Sequence, residues 1–276
     1  MKPAPKLAVI ILALPIAASA APANSKPLPL WEAGVLGGVA STPAYPGAAD
    51  RSTRGLLLPF LIYRGKVFRA DQSGIGARLV KREAVELDVG LAASLPARSD
   101  DVAARSGMPN LGTLLEFGPR LKVRIAEPSA SSRIRLDIPL RAVIEARAGV
   151  RTQGFTFEPK VVYEMRSADG LWTFDANAGV VIGDKKVNRY FYEVQPQYAT
   201  SARPAYQSDA GLMLTRVGAS ASRMINEDVR VFGFMRLESY ASAANEDSPL
   251  MKKKSGASAG VAFAWTLGRS TRLAGD

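Results

Sequence analysis

The 276-residue chain contains no cysteine and no histidine. Without cysteine no disulfide can brace the fold, so stability must come from buried area and a hydrogen-bonded framework. Without either residue a transition-metal site loses its usual nitrogen and sulfur ligands, and no cofactor is expected. The imidazole that most often does general acid–base work is missing too. Long apolar runs are equally scarce. One lies at 7–18, behind Lys2 and Lys6 and interrupted by Pro15, with Ala18-Ser19-Ala20 after it. It is shorter than the about 20 residues a membrane helix needs. A basic start, a short apolar run and a small-residue cleavage site read as a secretory signal peptide over residues 1–20. No cysteine follows that could carry a lipid anchor.

What the sequence does have is alternation. In "AVELDVGLAASLP" (84–96), Val85, Leu87, Val89, Leu91, Ala93 and Leu95 share one parity, and Glu86, Asp88, Gly90, Ala92 and Ser94 the other. A period of two puts these sets on opposite faces of one strand. The scheme recurs in "LEFGPRLKVRI" (115–125), "RIRLDIPLRAVIEAR" (133–147), "FTFEPKVVYEM" (155–165), "WTFDANAGVVI" (172–182) and "GASAGVAFAWTL" (256–267). Twelve strands are predicted, near 31–42, 54–64, 66–71, 73–82, 84–96, 113–126, 131–147, 153–166, 170–183, 207–220, 227–241 and 254–267. No segment has a helical period, and no linker divides the chain. Residues 21–30, with Pro22, Pro27 and Pro29, form a flexible lead-in, and 268–276 a C-terminal tail.

Alternation alone does not name the solvent of the apolar face, so a soluble sandwich and a membrane barrel both fit it. Loop lengths separate them. The connections 43–53, 97–112, 184–206 and 242–253 are long and all follow odd-numbered strands, whereas 65, 83, 127–130, 167–169 and 221–226 are short. Long loops at one end and tight turns at the other are the habit of outer-membrane barrels. The expected fold is therefore an all-β, twelve-stranded antiparallel transmembrane β-barrel of the outer-membrane type over 31–267, with both termini at the periplasmic end.

Parity then assigns faces. Ile134, Leu136, Ile138, Leu140, Ala142 and Ile144 point to lipid, while Arg133, Arg135, Asp137, Arg141, Glu145 and Arg147 supply charges to the lumen, where they should pair. Trp31, Trp172 and Trp265, with Tyr163, fall near the periplasmic end and are expected to form a membrane girdle, since an indole favours the interface. Without Lys2 and Lys6, 34 basic residues face 25 acidic ones, a net charge of +9. For an exported chain this suggests lipid and lipopolysaccharide phosphates as partners rather than nucleic acid. Lys252, Lys253 and Lys254 stand at the long-loop end, where they either meet lipopolysaccharide or form a solvated run that resists edge pairing. Asp100 and Asp101 alternate sides in an extended segment and read as solvated loop charge, or at best as a divalent-ion contact. Residues 98–110 fold inward as a plug or stay as a surface loop. Tyr190, Phe191 and Tyr192 pack a loop hairpin or offer a partner patch.

Several stretches carry a resemblance: "PLPLWEAGVLGG" (27–38), "YPGAAD" (45–50), "LLLPFLIYRGKVFRAD" (56–71), "VELDVGLAASLPARSDDVAARSGMPNLGTLLEFGP" (85–119), "YFYEVQPQYATSARPAYQSDAGL" (190–212) and "SPL" (248–250). They are similar to the MipA/OmpV family, the MltA-interacting outer-membrane proteins of Gram-negative bacteria. The resemblance implies a cell outer-membrane barrel. For the founding member it implies a non-enzymatic scaffold joining a murein lytic transglycosylase to a bifunctional penicillin-binding protein. It carries no catalytic residues with it. The chain departs from the habit of ending on an aromatic residue, since Trp265-Thr266-Leu267 is followed by "GRSTRLAGD". A narrow pore for small, preferably anionic solutes and a surface adhesin are the alternatives.

Overall fold

Inward and outward side chains alternate along nearly every strand, and the sheet that they define has no free edge. The computed structural model describes residues 28–65, 68–71, 74–94, 97–146 and 149–274. The expected signal peptide (1–20), most of the expected lead-in (21–30) and Arg147 lie outside the described residues. The strands are β1 (Trp31–Pro43), β2 (Arg51–Arg64), β3 (Phe68–Asp71), β4 (Gly74–Lys81), β5 (Val85–Ser94), β6 (Thr113–Ser129), β7 (Ser132–Ala146), β8 (Val150–Phe157), β9 (Lys160–Arg166), β10 (Trp172–Gly183), β11 (Gly211–Met224), β12 (Val229–Ser239) and β13 (Ser255–Arg269). Each pairs antiparallel with its neighbour, and β13 closes on β1 through pairs such as Val39 with Val261.

β8 and β9 share one position in the barrel. Both lie between β7 and β10, β8 beside 140–146 and β9 beside 132–137 of β7. The single strand expected over 153–166 is thus broken at Glu158-Pro159, because proline has no N–H to give to the ladder. The carbonyl of Pro159 still accepts from Val180 N at 3.2 Å, and Glu158 N donates to Pro139 O at 3.2 Å, so the break does not open the wall. The thirteen strand segments therefore occupy twelve positions.

The faces separate by burial. Leu57, Leu61, Val217, Met235, Val261 and Leu267 are exposed on the outside, while Asp137 on the inner face is buried. Exposed apolar residues recur on strands all around the barrel, a belt much larger than the patches water-soluble proteins tolerate. In hydrocarbon every backbone polar group must be paired within the protein, and a closed ladder achieves this. With every strand paired in a closed ladder, the apolar face of the alternating strands meets lipid.

Connections 44–50, 97–112, 184–210 and 240–254 lie at one end; the turns 82–84, 130–131, 167–171 and 225–228 lie at the other. One helix, α1 (Lys185–Tyr192), interrupts the loop after β10, where no helix was expected. Its apolar residues Val187, Tyr190 and Phe191 have helical spacing, but two turns are too few to show a period. Asp184 starts it by accepting from Val187 N at 2.9 Å. At the short-turn end the ladder runs past both expected borders. Leu30 N donates to Arg272 O, Ala274 N to Leu28 O, and Pro29 bridges Leu273.

Candidate functional site

Two features set this barrel apart: a packed cap over the long-loop end and a lumen lined by ion pairs. The cap is built from all four long loops. Tyr45, Ala48, Ala97, Val102, Leu111, Val194 and Leu250 form one apolar cluster, and Leu114, Val143, Val187, Tyr192, Met213, Leu214 and Tyr240 a second one that lies against the barrel's inner wall. Tyr192 and Leu250 are 0 % exposed.

Polar side chains stitch these loops together. Asn188 Nδ2 donates to Gly183 O at 2.9 Å, and Asn245 Nδ2 donates to Asn188 Oδ1 at 2.9 Å. Ser248 Oγ donates to the Tyr192 carbonyl and Tyr45 OH to the Leu250 carbonyl, each at 2.7 Å. Arg105 is buried, donates to the carbonyls of Phe191 and Pro109, and lies 5.7 Å from the centre of the Tyr45 ring. Arg203 donates to the carbonyls of Ala104 and Ser106. Buried polar groups need partners, and most of these find them on neighbouring loops; Arg105 Nε, Tyr192 OH and Ser208 Oγ do not. Burial pushes the Tyr45 phenol up to about 12, with the positive charge of Arg105 opposing the shift. Burial also raises Tyr192, Tyr240 and Tyr190, helped by Glu238 at the first two and by Glu145 at the third.

Gly154 fixes the cap to the wall. Its φ of +102° suits only glycine, and a Cβ there would sit 2.2 Å from Asp184 Oδ1, the group that starts α1. Residues 98–110 pack in this cap through two short 3₁₀ turns, Ser99–Asp101 and Ala103–Arg105. Asp100 and Asp101 stay exposed on it. Tyr190, Phe191 and Tyr192 belong to the helix and face the cap core, so they are packing residues and leave no open patch at Tyr192.

Below the cap the inner wall carries a ladder of charges. Arg120 Nη2 meets Asp88 Oδ2 at 2.7 Å, and Lys122 Nζ meets Asp88 at 2.8 Å and Glu86 at 3.1 Å. Arg133 and Arg135 share Glu164, and Arg135 Nε also donates to Asp137 at 2.7 Å. Glu158, inward by parity between β8 and β9, takes Arg141 at 2.8 Å, Arg216 at 2.9 Å and Lys160 at 3.5 Å. Arg216 also reaches Glu238 at 2.8 Å. Of the charges assigned to the lumen from parity, Arg133, Arg135, Asp137 and Arg141 join this ladder. Glu145 serves the cap instead, accepting from Gly112 N and from Tyr190 OH at 3.0 Å each. Parity on β5 already put Glu86 and Asp88 on this face. The Asn188–Asn245 pair and Arg105 had no sequence signal, because their partners come from distant loops.

The register gathers the girdle residues at the short-turn end. Trp31 opens β1 opposite Tyr63, Trp172 opens β10 after the 167–171 turn, and Trp265 stands opposite Val229, the first residue of β12. Tyr163 lies three residues before the end of β9. Trp31, Tyr163 and Trp265 are exposed on the outer face, while Trp172 stacks on Phe174 at 5.6 Å. Lys252, Lys253 and Lys254 are exposed at the long-loop end, where the amides of Lys252 and Lys253 donate to Gly47 O.

A closed twelve-position barrel with an apolar belt, capped at one end, defines a bacterial outer-membrane β-barrel. The model of the family described as MltA-interacting protein MipA matches residues 35–267. The chain belongs to that family and is an outer-membrane protein. No curated protein matches it in sequence. Among solved structures it is similar to an outer membrane channel from Pseudomonas putida F1, at 12 % identity and a TM-score of 0.47, over 90 % of this chain and all of that one. It is also similar to a bacterial polysaccharide outer membrane secretin, at 9 % identity and 0.41, over 86 % of this chain and 99 % of that one. The outer membrane phospholipase A of Escherichia coli follows at 10 % and 0.35, over 84 % and 90 %. Likenesses this loose establish no shared activity.

Proposed function

We propose that this barrel is a non-enzymatic scaffold that holds a murein lytic transglycosylase, and with it a bifunctional penicillin-binding protein, at the periplasmic side of the outer membrane. The transglycosylase is the partner that the family's description implies; the penicillin-binding protein rests on the resemblance alone. The observation that carries the reading is the cap. It fills the long-loop end, which in barrels of this type faces outward, and leaves the other end as the working surface. There the turns are short, so the paired segments at 28–31 and 270–274 offer the largest continuous edge for a partner. The charged groups of the ladder neutralise one another, which suits a structural wall better than a reaction centre.

The test is capture from detergent-solubilised envelopes by the tagged mature protein, followed by an assay for murein lytic activity in the eluate. Lytic activity should be retained by the full chain and lost from a chain ending at Arg269. An eluate free of lytic activity refutes the scaffold. A pore for small anions is the second reading, favoured by Arg133 and Lys160, whose side chains are 27 % and 26 % exposed to the lumen. Under the first reading planar bilayers show no conductance; steady anion-selective steps would support the second.

A further inference from the structure

The lumen is not uniform around its circumference. Charges crowd the inner faces of β5 to β11, and Arg236 and Glu238 stand at the cap end of β12, but below them, from β12 through β13 and β1 to β2, the middle of the wall turns apolar. Between Arg54 and Arg64, β2 points Leu56, Leu58, Phe60 and Ile62 inward, all half-buried. β12 adds Phe232 and Phe234, and β13 contributes glycine and alanine. The aromatic rings lie flat on this wall: a Cβ on Gly34 would come within 2.9 Å of Phe60, and one on Gly260 within 2.6 Å of Phe234. Small residues and flattened rings leave room on this side, while long paired side chains fill the other.

At the short-turn foot of that apolar wall stand cations with too few anions. Arg64 meets Glu32 at 2.7 Å and the carbonyl of Pro29 at 2.9 Å. Arg230, the first inward residue of β12, has among the described residues only the sulfur of Met224 as its hydrogen-bond acceptor, at 3.0 Å. Arg166, the last inward residue of β9, keeps a buried Nε with no acceptor. Among the described residues neither Arg166 nor Arg230 has a carboxylate within ion-pair distance. Arg230 lies within electrostatic reach of Glu32, which attracts it, and of Arg64 and Arg166, which repel it. Higher in the lumen Arg120, Arg133, Arg135, Arg141 and Arg216 are each given an acid, since an unpaired half-buried charge is costly.

We infer that the short-turn mouth of the lumen binds a small carboxylate with an apolar body. The guanidinium groups of Arg166 and Arg230 take the carboxylate, whose two oxygens match their donor geometry. The apolar part lies along Phe232, Phe60 and Ile62. A few converging polar groups at the edge of an apolar surface are how small-molecule sites are composed. The site shares with the scaffold reading only the blind, capped lumen and needs no partner enzyme, so a failed capture of lytic enzyme leaves it standing.

The experiment is calorimetric titration of the full mature protein in lipid nanodiscs at neutral pH with 2-naphthoate. Acetate supplies the charge alone, naphthalenemethanol the apolar body alone, and empty nanodiscs the background. Naphthoate should bind the protein saturably and at least about tenfold more tightly than either fragment, and Arg230→Gln and Arg166→Gln should each weaken it by at least about tenfold. Both variants remove an uncompensated cation, so they should fold, which heat-dependent gel mobility checks. The exposed Arg124→Gln should bind as the parent does. Equal binding of the alcohol, or unchanged affinity in both folded variants, overturns the proposal.

Discussion

Glu158 is the carboxylate on which three of the lumen's cations converge, and its replacement by glutamine tests the ladder directly. The change keeps size and hydrogen-bonding capacity but removes the charge that Arg141, Arg216 and Lys160 share at 2.8, 2.9 and 3.5 Å. Among the described residues Arg141 is then left with Glu116 at 3.5 Å, Arg216 with Glu238 at 2.8 Å, and Lys160 with no acid within ion-pair distance. Removing one member of a buried ion pair costs about 3–5 kcal/mol. The side chains here are 12 % to 26 % exposed, so lumen water screens part of the loss and the low end, about 3 kcal/mol, applies. With a urea slope of about 2–3 kcal/mol/M, the unfolding midpoint in lipid vesicles should fall by roughly 1–1.5 M. The double variant Glu158→Gln/Arg216→Gln should lose less than the two single losses combined, by about 1–3 kcal/mol, because both delete the same contact. An unchanged midpoint, or strict additivity, would mean that water rather than pairing satisfies these charges.

Face assignment is checked on β7, where Leu136→Arg or Ile138→Arg should cost about 2–4 kcal/mol and deplete the folded, heat-modifiable form, whereas Arg135→Leu or Arg141→Leu should cost less. Equal tolerance at both parities would reverse the faces. Depth-dependent quenching by brominated lipids should place Trp31, Trp172 and Trp265 at one interface; quenching at mid-bilayer depth would remove the girdle. The cap should loosen in alkali. The cap holds Tyr45 as the neutral phenol, so its contribution is intact below the ordinary value near 10 and is lost as pH rises towards about 12. Protease pulses across that window should begin to cut the 98–110 segment, while the strands stay protected. Gly154→Ala should displace Asp184 and cost about 1–3 kcal/mol through strain and a lost helix cap, read as earlier cap opening on heating.

The barrel was legible because its signal is periodic. In β2 and β13 every second residue is more exposed than its neighbours, as the apolar-polar alternation requires. The inner face of β2 is the exception that alternation could not read, because Leu56 and Leu58 inside are as apolar as Leu57 and Leu61 outside. Strand ends were blurred for a different reason. Arg151, Thr152 and Arg51 are polar on or near the outer face at the long-loop end, beyond the lipid, so pairing there leaves no hydropathy trace. The break at Glu158-Pro159 had a visible proline but no visible consequence, since both halves keep the same parity on either side of it. The cap was least legible. Asn188 and Asn245 are 57 residues apart, and only the closed wall brings their loops together.

The seam between β1 and β13 joins the beginning of the chain to its end, with Glu32 beside Arg269 and Ser41 beside Ala259. Contacts so remote in sequence form late, and this one cannot form until the last strand has been delivered to the membrane. Until then β1 and the newest strand present bare edges, which lipid does not tolerate and which other chains could pair with. Biogenesis therefore has an all-or-nothing character that a helical membrane protein escapes. A chain cut before Ser255 is not a slightly smaller barrel but an open sheet, and the cell should treat it as waste for its envelope proteases.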